Sequence, residues 1–374
     1  MERPVFNDLE TAPRLLLGPG PSMVPARVLR AMATPLLGHL DPQFLQIMEE
    51  EQRLLRYLFQ TTNEVTLAVP GTGTAGMESA LCNLIEPGDR VLVAVMGFFG
   101  ERLYEMALRY GAHADRLDCP WGQVFEPEAI AATLQGGGYK LLALVHAETS
   151  TGALQPGIAE IARAAHAEGT LLVLDTVTSL AGLPVTVDAW GVDVAYSATQ
   201  KGLSCPPGLA PITFSPRALE AIDRRKTPVA NWYLDLNGLR KYWEAPHAYH
   251  HTSPINTHYA LREGLRLVAE EGLEARFTRH RLNAELLWQG LESLDLPPLV
   301  PVEYRLPTLT TPQLRPDTDD AGLRKRLLED YNIEIAAGFG PLKGKVWRIG
   351  LMGFSSRREN VLLLLAAFGE LFSE

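Results

Sequence analysis

The chain has 374 residues, enough for about two cores, and its 46% hydrophobic against 21% charged residues is the balance of a globular protein. Lys and Arg number 34 against 44 Asp and Glu, a net charge of -10. That excludes a chain-wide footprint for nucleic acid or an anionic membrane, though not a local basic pocket for a small anion.

Residues 1–17 contain no apolar core of a signal peptide and read as an N-terminal arm. Cys82, Cys119 and Cys205 are odd in number and far apart, so they suggest neither a disulfide framework nor a zinc site. A reducing, cytoplasmic setting is the default expectation. Apolar stretches such as Val361–Phe368 are too short to span a membrane, and the final Leu-Phe-Ser-Glu is no peroxisomal address of the Ser-Lys-Leu type.

Strand and helix patterns then alternate, which predicts α/β with a largely parallel sheet. Val65–Val69 reads as a buried strand, followed by a glycine-rich turn and a helix from about Ala75 to Ile85. Further strands are predicted at Arg90–Val95, Leu141–His146, Leu171–Leu174, Val192–Tyr196 and Pro211–Phe214, with a helix at Ile158–Glu168. Tyr259–Leu294 is helix-rich, and two more helices are expected near Ala321–Tyr331 and Arg358–Leu371. The pattern divides into a large domain over 18–265 and a smaller C-terminal α+β domain over 266–374.

Gly71-Thr-Gly73-Thr-Ala-Gly76 follows a strand and opens a helix, which matches the dinucleotide fingerprint G-x-G-x-x-G. The fingerprint also needs an acid at the end of the next strand. That strand ends in Ala94-Val-Met-Gly97, so a nicotinamide dehydrogenase loses its second half. What survives is a phosphate cradle of backbone N–H groups at a helix N-terminus, or a plain tight turn.

Among seven lysines, Lys201 alone follows a buried strand directly, in Tyr196-Ser-Ala-Thr-Gln-Lys201. Asp175 closes the apolar strand Leu171-Leu-Val-Leu-Asp175. Both fall at the carboxyl edge of a parallel sheet, where open α/β folds bind ligands. A lysine attacks an aldehyde only when neutral, which burial and neighbouring cations promote. Pyridoxal phosphate withdraws electrons only while its ring nitrogen stays protonated, which a buried carboxylate enforces. With the upstream phosphate loop, this order outweighs a surface lysine and a turn-capping aspartate.

The chain resembles the class V aminotransferases of the alanine–glyoxylate and serine–glyoxylate group, with fold type I, over nearly its whole length. The likeness rests on Leu17-Gly-Pro-Gly-Pro-Ser22, Gly38-His-Leu-Asp-Pro-Gln-Phe44, Gly71-Thr-Gly-Thr74, Glu148-Thr-Ser-Thr-Gly152, Asp175-Thr-Val-Thr-Ser-Leu180, Ser197-Ala-Thr-Gln-Lys-Gly202, Tyr249-His-His-Thr252 and Lys345-Val-Trp-Arg-Ile-Gly350. The resemblance implies that pyridoxal 5′-phosphate is held on Lys201 as a Schiff base, with Asp175 at its ring nitrogen. It implies Val177 beneath the ring, Phe99 on the other face, and Thr149 donating to the 3′ oxygen. Thr72, Gly73, Thr74 and Gln200 would serve the phosphate, joined by Tyr249 and Thr252 from a second subunit of a homodimer. Arg348 would grip the substrate carboxylate with its planar fork. The segment at Gly20 would line a pocket too small for a long side chain.

Amino and oxo acids are then the expected small-molecule partners, with alanine or serine donating to glyoxylate or pyruvate. Aspartate- or ureidoglycine-using relatives stay open. A cysteine desulfurase would need a nucleophilic cysteine late in the chain, and the last one is Cys205.

Overall fold

The computed structural model describes residues 1 and 3–372. Seven strands build the central sheet: β1 (Thr66–Pro70), β2 (Arg90–Val95), β3 (His113–Asp118), β4 (Leu141–Val145), β5 (Leu171–Asp175), β6 (Val194–Tyr196) and β7 (Leu209–Phe214). In space they run β1-β7-β6-β5-β4-β2-β3. Only β7 is antiparallel to its neighbours; every other pairing is parallel.

Strands β1, β4, β5 and β7 are buried along their whole length, as a sheet covered by helices on both faces requires. The sequence analysis lacks β3. Its residues His-Ala-Asp-Arg-Leu-Asp are mostly exposed, and their charges guard a free sheet edge rather than announce a strand. It also lacks the helix Pro42–Phe59, which Asp41 caps by accepting from the Gln43 N–H at 2.8 Å. The helix-rich region resolves into Ile255–Glu271 and Leu273–Ser293, broken at Gly272, whose φ of +81° suits glycine.

Two large hydrophobic clusters form. The first follows the central sheet and its helices and extends to Leu273 and Phe277. The second gathers Leu17, Leu287, Leu291, Ile349 and Phe368 around Trp347. Here Trp347–Gly350 is the middle strand between Leu309–Thr310 and Ala336–Ala337. The Trp347 indole stacks on Phe368 at 5.2 Å and donates to Asp320 at 2.8 Å.

The N-terminal segment joins the two clusters. Leu15–Leu16 pair in parallel with Ile333–Glu334, and Leu17 is buried in the second cluster. The Gly350 N–H donates to the Leu17 carbonyl at 2.7 Å, so closely that a Cβ on Gly350 would lie 2.1 Å from the Gly18 oxygen. Among the described residues no helix is long and apolar enough to cross a membrane.

Trp347→Ala removes the largest side chain of the second cluster and leaves Asp320 with Arg324 as its donor. It should lower stability by about 3–5 kcal/mol in urea unfolding. A wild-type midpoint would show that this ring does not hold the cluster.

Candidate active site

Strands β1, β2, β4, β5 and β6 all point the same way, so the segments that leave their carboxyl ends meet along one edge. These are Gly71–Thr74, Gly97–Gly100, Ala147–Ser150, Thr176–Ser179 and Ser197–Lys201. The topology thus brings together residues 130 positions apart.

Asp175 is only 2% exposed. One carboxylate oxygen accepts from the Val177 N–H at 2.8 Å and the other from the Tyr196 hydroxyl at 2.7 Å. Burial pushes its carboxyl up to about 6, opposed by those two donors and by the charges of Lys201 and Arg102. Lys201 behaves oppositely. Burial, reinforced by the Arg348 cation, brings its amine down to about 8, while Asp175 pulls it back up. Lys201 Nζ donates to the Pro19 carbonyl, and a Cβ on Gly20 would stand 2.6 Å from that nitrogen. Gly20 also has a φ of +112°, so both space and backbone demand glycine.

Thr72 precedes the helix Gly73–Leu84 and gives it no side-chain cap, leaving first-turn N–H groups open. A Cβ on Gly73 would lie 3.2 Å from Val177 and 3.0 Å from Ala198, so the phosphate-type loop packs directly on the Asp175 and Lys201 segments. Among the described residues, the buried Gln200 Oε1 has no hydrogen-bond partner. Arg102 donates to Thr74 Oγ1 at 3.2 Å and lies over the Phe98 and Phe99 rings, 5.2 and 5.0 Å from their centroids.

Glu148 is wholly buried and secures this corner. It accepts from Ser150 Oγ at 2.6 Å and from the Phe99 and Gly100 N–H groups at 3.4 Å, although burial still raises its pKa. A Cβ on Gly97 would collide with it at 2.4 Å. Thr149 is buried and hydrogen-bonded through its hydroxyl to Thr178.

Arg348 reaches the same edge from the second cluster. Its Nε donates to the Ala337 carbonyl at 2.8 Å, and its guanidinium lies 3.7 Å from the centroid of Phe339. Those contacts fix the plane of the fork. Burial lowers its pKa to about 10, with Glu148 pulling the other way.

The structure therefore draws Gly20, Thr72, Gly73, Thr74, Phe99, Thr149, Asp175, Val177, Gln200, Lys201 and Arg348 into one neighbourhood. Tyr249 and Thr252 differ. Both are exposed, Tyr249 at 64%, and among the described residues neither side chain has a hydrogen bond within the chain. The sequence analysis overlooks Tyr196, Arg102, Phe98, Thr178 and Phe339, and gives Glu148 no role. Tyr196 carried a signal, since it ends a strand beside Asp175's strand; Phe339 carried none. Cys205 is buried and its thiol is pushed up to about 12 by burial, the setting of an inert cysteine.

A phosphorylated pyridine aldehyde fits this arrangement. Among the described residues, the buried carboxylate lacks a cation in hydrogen-bond contact, the amine is held partly neutral, the helix N-terminus has no side-chain cap, and a buried amide oxygen lacks a partner. Comparison with known proteins agrees. The class V aminotransferase family model matches residues 14–352. A solved alanine–glyoxylate aminotransferase from Nostoc sp. is 53% identical and superposes with a TM-score of 0.97, covering 98% of this chain and 97% of its own, so the fold is type I of the pyridoxal-phosphate enzymes. The (S)-ureidoglycine–glyoxylate transaminase of Bacillus subtilis (strain 168) is 42% identical over 96% of this chain and 91% of its own length. The alanine–glyoxylate aminotransferase of Drosophila melanogaster is 39% identical over 99% and 94% respectively. The chain belongs to the class V aminotransferases and is a pyridoxal-phosphate-dependent transaminase.

Proposed function

We propose that this transaminase passes the amino group of alanine or serine to glyoxylate or pyruvate, with Lys201 as the residue that holds the cofactor and moves the proton. The observation that carries this reading is a partly neutral amine close to both a buried carboxylate and a fork-shaped cation, beside a glycine whose missing side chain leaves only a small space. Relatives named for glyoxylate support the acceptor. Ureidoglycine stays as the second reading, because one of those relatives is named for it.

Pyridoxal phosphate, when bound, supplies an electron sink for the pair left on the substrate's α-carbon. The chain's own residues do the rest. Arg348 takes the α-carboxylate in its fork, already oriented by Phe339 and Ala337. The neutral Lys201 amine would take the α-proton and later return it two atoms away, across the imine nitrogen. Asp175, held by Tyr196 and Val177, would pair with the protonated ring nitrogen. Phe99 and Val177 would hold the ring from its two faces. Thr72, Gly73, Thr74 and Gln200 would bind the phosphate, and Thr149 the 3′ oxygen.

The active form in this proposal is a homodimer in the cytoplasm. The exposure of Tyr249 and Thr252 supports their service to the neighbouring subunit's phosphate.

Borohydride treatment of the wild type with cofactor should leave a covalent adduct at residue 201 by mass spectrometry. Lys201→Ala should give no adduct and no amino transfer, with an unchanged circular dichroism spectrum. An adduct elsewhere would end the assignment. The rate at which apoprotein captures the cofactor should climb with pH through about 8, where the Lys201 amine loses its proton, and a flat profile would contradict the lowered amine. Arg348→Lys keeps the charge and loses the fork, so kcat/KM for alanine should drop about 10–100-fold. An unchanged kcat/KM would remove Arg348 from substrate binding.

A further inference from the structure

Three phenylalanines connect the cofactor side of the pocket to the substrate anchor. The Phe99 ring meets Phe98 edge-on at 5.6 Å, and Phe98 meets Phe339 at 5.0 Å with the planes inclined by 42°. Phe339 in turn covers the guanidinium of Arg348 at 3.7 Å. Ring centroids that close leave no gap for water or a side chain between Phe98 and Phe339. Phe98 comes from the helix after β2, whereas Phe339 follows the strand paired with Arg348's own. The two parts of the molecule thus meet in one aromatic contact beside the carboxylate anchor.

We propose that the Phe98–Phe339 pair is the specificity element of the pocket, restricting it to monocarboxylic acids with short side chains. This rests on the reading of Arg348 as the carboxylate anchor. A substrate gripped by Arg348 sets its side chain down next to that wall. A long chain finds the space taken. A second carboxylate, as in aspartate, would be desolvated against two phenyl rings with no free cation of this chain, among the described residues, to receive it. Arg102, the other cation at this corner, is already engaged with the faces of Phe98 and Phe99 and with the Thr74 hydroxyl. The wall therefore selects by shape and by denying an ion pair, which is discrimination through what the pocket refuses.

The test uses unreactive carboxylates as probes, with binding to the cofactor-loaded enzyme read by the change in cofactor fluorescence. Wild type should bind propionate at least about tenfold more tightly than valerate or succinate, the scale of one or two methylenes in a closed apolar pocket. In Phe98→Ala, which leaves the Arg348 stack in place, the propionate-to-valerate ratio should fall to about threefold or less. Phe339→Leu, a smaller change that keeps apolar cover over Arg348, should shift the ratio in the same direction and serves if Phe98→Ala fails to bind cofactor. Equal binding of propionate and valerate by wild type, or wild-type ratios in both variants, overturns the proposal. An amino-donor panel run alongside separates the two readings. If wild type moves no amine from alanine or serine to glyoxylate while the variants still lose discrimination, the donor assignment fails and the wall stands.

Discussion

The arrangement depends on keeping opposite charges out of water without letting them neutralise one another. Asp175 sits at the end of a fully buried strand, where a lone carboxylate would tend to pick up a proton. Two donors, the Tyr196 hydroxyl and the Val177 N–H, oppose that tendency and fix the direction in which the carboxylate points. Lys201 meets the reverse problem, since the same burial lowers the pKa of its amine and Arg348 strengthens the effect. Both groups are ill at ease alone, and in the proposed assignment both would be relieved by a cationic ring nitrogen and an aldehyde. A site with this electrostatic character is preorganised for its cofactor.

Much of this was legible in the chain because catalytic edges of parallel sheets have a simple grammar. A run of apolar residues that stops at Asp175, and another that stops at Tyr196 shortly before Lys201, are strong signals once the strands are known to be parallel. The glycine loop was legible for the same reason, and its missing partner acid argued against a dinucleotide. Strand β3 was invisible because its exposed, charged residues lack the alternation of a half-buried strand. Phe339 and Phe98 were invisible for a different reason. Nothing in a linear pattern says that a ring 241 positions downstream will land against another one.

In the proposed assignment, the anchor for substrate and the anchor for cofactor come from different parts of the molecule. Arg348 rides on the middle strand of the second cluster, whereas Asp175 and Lys201 belong to the central sheet. Glu148 stands between them in function, because it holds the N-terminus of the Phe98 helix while sensing the charge of Arg348. A buried carboxylate in that place ties the geometry of the aromatic corner to the presence of the arginine opposite. Hydrogen bonds from Ser150 and from two backbone N–H groups satisfy it, so it secures the structure of this corner.

The short run from Leu15 to Ser22 has a mechanical meaning. Its first residues are zipped to Ile333–Glu334, its middle is clasped by Gly350, and its far end places the Pro19 carbonyl on the Lys201 amine while Ser22 bonds the Gln200 and Lys201 carbonyls. Eight residues therefore tie the part of the chain that carries Arg348 to the loop that carries Lys201, so the carbonyl that engages the lysine is positioned by the same segment that pairs with Ile333–Glu334.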